Sequence, residues 1–503
     1  MDSIVVKYIY WLMLFLLILV ANISPDRRRR FSRILRIIAY LNIWIPLALG
    51  LIGIDYLQVF FITLCSIACL AISLYSEGYL RILFGRIAPL QFIVDSTLVL
   101  LMLFFTAYNL VELVVLWISI ELLGFILILM ERGIRNWGIA TKYLILCATT
   151  GDISLFTWLA IVSLNLGVEK GLFMGFDQLA SMGIRADPII TFLLLIGFTT
   201  KLGQIPLHFW LVDTYTEAPS ISTAVFSGLM SKMAVYGILR LYYTLSLDTN
   251  VFMYLLLIQG LATAIYGFLM ASAQTDVKKL LAYSSMGHYG VMTMFMGFLP
   301  VMEDTILVLM YIYILYHGIV KTQLFLNTGS IELLANTREI YRLGYLSRIA
   351  RETYFSAVLG FLSLIGIPPT IGFVTKFLLI VIALQILVSG TPYSILLLIG
   401  TVFTSIFSIV YAIKYLGVYT GSYAREAYRP VISLEDTQLF SERLLAISQL
   451  ILPIIPLVKL SIPYNLIISI VYVLGLFVLV ASLLVYRSSF IREADVWLGG
   501  IEA

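Results

Sequence analysis

Residues Gly197–Arg240 read GFTTKLGQIPLHFWLVDTYTEAPSISTAVFSGLMSKMAVYGILR. Two apolar segments, each long enough to cross a bilayer, flank a short polar connection, and each carries one lysine near its middle, Lys201 and Lys232. A cation at the bilayer centre costs about 2.5–3.5 kcal/mol on insertion scales, and such residues usually line an ion path or meet a partner inside a helix bundle. The stretch therefore implies a multi-helix membrane fold with both lysines turned inward.

Composition agrees. Of 503 residues, 61% are hydrophobic and 12% charged, with a mean hydropathy of +1.02, whereas a soluble protein carries about 25% charged residues. The net charge of +4 comes mostly from the connections, so it bears on orientation and not on nucleic-acid binding. Cys65, Cys69 and Cys147 lie in apolar segments without a CxxC or a cysteine–histidine cluster. That pattern argues against iron–sulfur or zinc ligation and against a disulfide framework.

Apolar runs long enough to span read, in order, Ile4–Val20, Leu35–Gly53, Tyr56–Tyr75, Ile87–Ala107, Val111–Met130, Tyr143–Leu166, Ile189–Leu211, Ser220–Tyr243, Val251–Ser272, Leu280–Phe298, Ile306–Leu326, Tyr354–Val388, Tyr393–Ile413, Leu444–Leu460 and Leu466–Tyr486. The twelfth is interrupted by Gly366, Ile367, Pro368 and Pro369, and the fourteenth is short and holds Pro453 and Pro456. The first is read as a retained helix and not a signal peptide, because its basic cluster follows the apolar run and no small-residue cleavage site stands near its end. The expectation is an all-α polytopic membrane protein with 14–15 transmembrane helices, some of them broken.

With the N-terminus outside, 23 of the 32 basic residues fall in connections on one side and the C-terminal tail, and five (Lys7, Lys170, Arg185, Arg240, Lys459) on the other. The positive-inside rule makes the first side cytoplasmic, with the C-terminus there. The remaining four, Lys201, Lys232, Lys321 and Lys376, lie within spans.

Gly197–Lys201 reads GFTTK and Gly372–Lys376 reads GFVTK. They stand in the seventh and twelfth spans, an odd offset that reverses direction through the membrane, as in inverted-topology repeats whose working residues gather at the midplane. The expected organisation is residues 1–86 as the first three helices, 87–243 as a first inverted repeat (helices 4–8), 251–413 as a second (helices 9–13), and 414–503 as a cytoplasmic loop with the C-terminal helices.

Ionisable residues inside spans carry the functional reading. Glu121, in WISIELLGF, reads as the only carboxylate so deep, and it requires a cation within about 4–6 Å to stay ionised; Lys201 is the candidate. A structural pair is the bland alternative, yet buried pairs are weak stability devices. Lys232 follows Ser227, Gly228 and Ser231, which loosen helical packing. His317 and Lys321, at i, i+4 with Tyr313 one turn before, share a face, and histidine suits a shuttle near neutral pH. Lys376 follows the Pro368–Pro369 break. His208 and His288 are possible further relay groups, Trp210 reads as an interface anchor, and Asp95 and Asp152 read as tertiary hydrogen-bonding residues. Most of the tyrosines read as packing.

The stretch TKLGQIPLHFWLVDTYTEAPSISTAVFSGLMSKMAVYGILR, with TDVKKLLAYSSMGHYG (Thr275–Gly290), YHGIVKTQLF (Tyr316–Phe325) and GIPPTIGFVTKF (Gly366–Phe377), resembles the antiporter-like subunits of respiratory complex I, Mrp-type Na⁺/H⁺ antiporters and membrane-bound group 4 [NiFe] hydrogenase-related complexes. The resemblance implies a fourteen-helix core, two inverted five-helix repeats, and a polar axis on which Glu121, Lys201, Lys232, His317, Lys321 and Lys376 match the working positions. The last of these is lysine where members of the family also carry glutamate. The tail ADVWLGGIE is similar to that of hydrogenase-linked members.

The reading is an ion-translocating subunit, for H⁺ and/or Na⁺, of a redox-driven complex in the cell membrane. No redox or hydrolytic site of its own, no cofactor motif and no metal site is expected in this chain. Fe–S, Ni–Fe or flavin groups belong to partners: a peripheral cytoplasmic redox module of hydrogenase, sulfur-reducing or quinone-reducing type, alongside other antiporter-like and small membrane subunits. The alternatives are an Mrp-type antiporter subunit without a redox partner, a haem- or quinone-binding anchor, which His208, His288 and His317 at differing depths disfavour, and a non-conducting scaffold.

Overall fold

A computed structural model describes residues 3–23, 29–50, 53–85, 88–131, 133–421, 432–454, 457 and 465–488. Arg27, Arg28, Arg86, Arg132, Arg425, Arg429, Lys459, Arg492 and the 494–502 tail lie outside the described residues. Those described are nearly all helical: α1 Ser3–Ile23, α2 Arg29–Leu41, α3 Trp44–Ala48, α4 Tyr56–Phe84, α5 Ala88–Phe104, α6 Leu110–Leu129, α7 Ile134–Leu166, α8 Val168–Phe173, α9 Phe176–Ala180, α10 Pro188–Lys201, α11 Phe209–Glu217, α12 Ser220–Val225, α13 Ser231–Thr244, α14 Thr249–Ala273, α15 Val277–Met296, α16 Glu303–Ala335, α17 Arg351–Ile365, α18 Ile371–Val388, α19 Ile395–Thr420, α20 Asp436–Ile451 and α21 Asn465–Ser488.

Eleven helices among the described residues are long and apolar enough to cross a membrane. The fifteen expected spans exceed that number for physical reasons. α5 and α10 are short, α10 being half of a broken helix; α15 is diluted by Lys278, Lys279, His288 and its serines; and α20 starts before the expected Leu444 in a polar stretch and ends, as described, at Ile451. The second span starts at Arg29 and breaks between Leu41 and Trp44.

Short polar side chains start several helices from the face opposite the arginine-rich connections. Asp55, Asn109, Asp187 and Asp248 accept the third backbone N–H of the helices that follow, at 2.8–2.9 Å, satisfying donors that a helix start leaves open. We call that side the acidic-cap face and the other the basic face. α14 and α15 touch backbone to backbone: a Cβ on Gly267 would stand 2.5 Å from Gly287 N, and one on Gly260 would stand 2.6 Å from Gly290 O. Small residues permit this approach where burying apolar surface drives nothing.

The N-terminal helices are held by charge. Arg36, fully buried, lies 3.1 Å from Asp95 and 3.4 Å from Glu77, which also takes Arg33 at 2.9 Å and Arg81 at 3.1 Å. Asp95 further accepts from Asn22 (2.9 Å), Tyr40 (2.9 Å) and Ser73 (2.5 Å), in line with its reading as a hydrogen-bonding residue. Arg81 reaches on to Glu435 at the head of α20. One buried network thus ties α1, α2, α4 and α5 to the C-terminal region. Asp152, by contrast, has no hydrogen-bonded partner for its side chain among the described residues and is half-exposed on α7, which corrects the parallel expectation made for it.

Candidate functional site

Breaks in three helices create the site. Between α10 and α11 the chain leaves helical geometry through residues 202–208, and Trp210 Nε1 donates to the Thr200 carbonyl at 2.9 Å, taking up one acceptor that the break releases. Trp210 is 1% exposed; it clamps the break and is not the interface anchor expected from sequence. Between α17 and α18 the break runs through Gly366, whose φ of +88° is left-handed and suits a residue without a Cβ. The third irregularity is the π turn Phe226–Met230 joining α12 to α13. Such turns recur at functional positions because they free backbone groups inside a helix.

The GFTTK and GFVTK copies do not occupy the same place relative to their breaks. Lys201 is the last residue of α10, before its break, whereas Lys376 follows its break within α18. The shared feature of the two helices is the interruption itself, and the pentapeptides are not in register about it.

Glu121, central in α6, and Lys201 are both buried and pair at 2.9 Å. Lys201 Nζ also donates to Tyr143 OH at 3.1 Å and lies 4.9 Å from the Tyr143 ring centroid and 5.7 Å from that of Trp117, within cation–π range. Its charge is therefore met by a carboxylate, a hydroxyl and two ring faces.

Lys232 is built differently. Fully buried in α13, it donates to the Ser227 carbonyl at 2.8 Å and to Ser231 Oγ at 3.1 Å, and meets His317 Nδ1 at 2.7 Å. The Ser227 carbonyl, loosened by the π turn, also accepts from Ser231 Oγ at 2.9 Å and Tyr289 OH at 3.1 Å. Among the described residues no carboxylate lies within ion-pair distance of Lys232, so an ammonium there stands without a counter-charge.

The face shared by Tyr313, His317 and Lys321 on α16 packs on α15. Tyr313 OH and His288 Nδ1 are 2.9 Å apart. The His317 ring lies 5.3 Å from that of His288 and 5.0 Å from that of Tyr289. Lys321 Nζ donates to Ser284 Oγ and lies 3.4 Å from the Leu281 carbonyl. Tyr411 of α19 reaches His288 Nε2 at 3.4 Å. Lys376 of α18 stands apart, its Nζ donating to Ser408 Oγ at 2.5 Å and lying 3.5 Å from the Thr404 carbonyl, both on α19. His317 Nε2, Tyr316 OH and Thr322 Oγ1 are buried without a protein partner, polar positions of the kind that buried water serves.

The array therefore has three parts: Glu121–Lys201–Tyr143; Lys232–His317 with His288, Lys321 and their tyrosines; and Lys376. Phe226 of the π turn bridges the first two by packing alone, its ring 5.6 Å from that of Tyr143 and 6.1 Å from that of Tyr215, whose hydroxyl lies 3.3 Å from that of Tyr289, and no hydrogen bond among the described residues joins Glu121–Lys201–Tyr143 to the second part. His208 is not joined to the array. It sits half-buried at the break, with Nδ1 3.3 Å from the Pro206 carbonyl and its ring against Phe209 and Tyr266.

Sequence reasoning missed two features. Tyr143 accepts from Lys201, Tyr289 donates to the carbonyl that receives Lys232, and Tyr313 and Tyr411 meet His288, so these tyrosines are not mere packing. Glu121 is also not the only buried carboxylate: Glu77, Asp95, Glu112 and Glu442 are buried too, Glu442 to 1%. The signal for Glu442 was the polar stripe Gln438, Ser441, Glu442, Gln449 at helical spacing.

Comparison with known proteins follows this geometry. A family model described as NADH:quinone oxidoreductase/Mrp antiporter, TM, matches residues 107–408. The chain is 29% identical over 342 residues to the hydrogenase-4 component F homolog of Methylacidiphilum infernorum, covering 65% of this chain and 71% of that protein. It is 27% identical over 337 residues to hydrogenase-4 component B of Escherichia coli (64% and 49%) and 28% identical over 258 residues to NADH-quinone oxidoreductase subunit M of Pseudomonas aeruginosa (49% and 48%). The chain thus spans about half the length of the latter two. A chain in the solved structure of the Mrp complex from Dietzia sp. has the same fold, with a TM-score of 0.72 at 18% identity over 93% of this chain and 99% of that one.

Proposed function

The chain belongs to the NADH:quinone oxidoreductase/Mrp antiporter transmembrane family, and from that premise we propose that it moves protons along the Glu121, Lys201, Lys232, His317, Lys321 and Lys376 array as one subunit of a redox-driven membrane complex. An antiporter-like membrane subunit is what its relatives indicate.

The observation that carries it is the contrast between the two lysines of the opening stretch. Lys201 has a carboxylate at 2.9 Å, whereas Lys232 has only neutral acceptors and a histidine nitrogen at 2.7 Å. A proton on Lys201 is held by an opposite charge; one on Lys232 is repelled toward any base that can take it. His317 Nδ1 is in hydrogen-bonding reach to do so. Withdrawing Glu121 from Lys201 would free that proton too, and the ring packing at Phe226 would hold the two compartments apart until water or a side-chain turn joins them. Lys376, alone against Ser408, would be the far terminus. The inverted repeats of helices 4–8 and 9–13, with a broken helix in each, would place these groups at the midplane.

Electron transfer would occur in partners, in a peripheral module on the basic face, taken as cytoplasmic, with the N-terminus outside. Identity of up to 29% to hydrogenase-4 components over 65% of the chain favours a redox-linked assembly. The second reading is a Na⁺/H⁺ antiporter subunit with no redox partner, which a family that joins quinone oxidoreductases with Mrp antiporters also admits. The subunits that copurify separate the two.

The test is redox-driven acidification of vesicles by the parent complex, wild type against Lys201→Ala at matched assembly, with and without Na⁺ and a protonophore. Electron transfer that persists while charge movement falls is the expected result. Undiminished pumping in the variant overturns the proposal.

A further inference from the structure

Among the described residues, one buried carboxylate outside the array just described has no cationic partner. Glu442 of α20 is 1% exposed. Its Oε1 accepts from Ser330 Oγ at 2.5 Å and its Oε2 from Asn327 Nδ2 at 3.0 Å, both on α16. Among the described residues no lysine, arginine or histidine lies within ion-pair distance of it. The groups facing it from the packed helices are Tyr75 on α4, Tyr415 and Tyr419 on α19, and Ser356 and the more distant Glu352 on α17. None of them is a cation, so this carboxylate, unlike Glu121, Glu77, Asp95 and Glu112, has no opposite charge to justify its burial as an ion.

Two continuations leave it. Ser330 Oγ lies 2.9 Å from Tyr75 OH, and the Tyr75 ring lies 5.9 Å from that of Tyr79, one turn on along α4. Tyr79 lines a cavity of about 700 Å³ with Glu131, Glu217, Glu332 and Arg338 at the basic face, where Ser220 joins it: Ser220 N donates to Tyr79 OH at 3.3 Å and Ser220 Oγ to Glu332 at 2.8 Å. On the other side Asn327 Oδ1 accepts from Tyr415 OH at 2.9 Å. One helical turn before Tyr415 stands Tyr411, which reaches His288 Nε2 at 3.4 Å.

The hydroxyls beside Glu442 accommodate both of its protonation states without moving a heavy atom. With the carboxylate ionised, Tyr75 donates to Ser330 and Ser330 donates to Oε1. With the acid protonated, Oε1–H donates to Ser330 and Ser330 donates to Tyr75. A serine and a tyrosine hydroxyl each carry one rotatable proton and free lone pairs, so a proton arriving at Tyr75 from the cavity side becomes the O–H bond on Glu442 while both hydroxyls keep their own complement. A structural hydrogen-bonding residue would gain nothing from a carboxyl over an amide here.

We propose that Glu442 is a reversible proton-binding site, loaded from the acidic cavity at the basic face through Tyr75 and Ser330 and positioned to serve the His288 end of the array through the Tyr415–Tyr411 side. The inference rests on the proton-moving reading of the array, and its test separates the two.

The experiment compares the intact complex carrying wild type, Glu442→Gln, Glu442→Asp and Lys201→Ala, at matched assembly, by infrared difference spectroscopy across a pH step in H2O and D2O and by vesicle acidification. The expected result is a carboxylic-acid C=O band that appears in wild type as pH falls, shifts in D2O and is missing in Glu442→Gln. Proton movement should fall about tenfold or more in that variant and partly return in Glu442→Asp. A wild-type band that survives in Glu442→Gln, or proton movement that falls in Glu442→Gln with no such band in wild type, overturns the proposal. So does full proton movement in Glu442→Gln when Lys201→Ala has lost it, and that outcome leaves the array intact. Loss of the band in Glu442→Gln with full pumping in Lys201→Ala upholds the Glu442 site and overturns the array.

Discussion

Glu121→Gln removes one charge and almost no volume, which makes it the sharpest probe of the Lys201 pair. At 2.9 Å and an effective dielectric constant of about 20, the lost attraction is about 6 kcal/mol before solvation is counted. Breaking buried pairs from one side has cost about 3–5 kcal/mol where it was measured. Tyr143 at 3.1 Å and the Trp117 ring remain, so the lower end, about 3 kcal/mol, is the expectation here. That corresponds to roughly a hundredfold weaker hold of Lys201 on its proton. Loading Lys201 then needs a higher proton concentration, and the pH profile of vesicle acidification should move to lower pH by about two units. The stability of the assembled protein in detergent supplies a second readout that does not depend on transport. Glu121→Gln and Lys201→Met should each destabilise, and the double variant should recover part of the loss, because it strands no charge. A profile that stays in place together with strictly additive losses of stability would refute the reasoning, since both follow from one interaction.

Two further outcomes test the scaffold. Gly366→Ala places a Cβ at a φ of +88° and 2.7 Å from Lys376 Cδ, so it should lower stability by about 1–2 kcal/mol and dislodge Lys376 from Ser408, read as loss of thermal stability of the purified protein and of proton movement at matched assembly. Arg36→Leu strands Asp95, while Glu77 keeps Arg33 and Arg81, and should reduce assembled protein by an amount matching about 3–5 kcal/mol, with Arg36→Lys only partly restoring it because one ammonium cannot reproduce a guanidinium fork; immunoblot yield and thermal half-life in detergent check both.

The parts of this fold legible in the sequence are those where chemistry contradicts its surroundings. Lysine or glutamate in an apolar run marks an inward-facing position whatever the packing, so Glu121, Lys201 and Lys232 announced themselves, and the pairing of the first two followed from charge alone. The contact of Lys232 with His317 did not, because α16 is buried nearly all round and its hydrophobic period singles out no face. His317 and Lys321 could be placed on one side of their helix, but not against α15. Glu442 was lost for the opposite reason: it sits among Ser441, Arg443 and an acidic run, where a charge contradicts nothing, and only the inward stripe of α20 reveals its burial. The helix breaks were visible as Pro206 and Pro368–Pro369; of the π turn only the loosening at Ser227 and Gly228 was, since nothing in Phe226–Met230 specifies the surplus residue.

That π turn sets a rule for how this chain can change. It holds one residue more than a regular helical path would need, and the turn that absorbs that surplus keeps Lys232 aimed at His317. Drawing the same residues into an ordinary α-helix, with none removed, would swing everything beyond the turn by about 100° and carry Lys232 away from α16, whereas deleting one residue between Phe226 and Met230 takes out the surplus and keeps the register beyond it. On the proposed route regularity and conduction are opposed in this segment, so substitutions that favour an ordinary helix over the π turn should cost more here than the removal of its surplus residue, and a variant selected for helical stability alone would drift toward a well-folded protein in which Lys232 no longer meets His317.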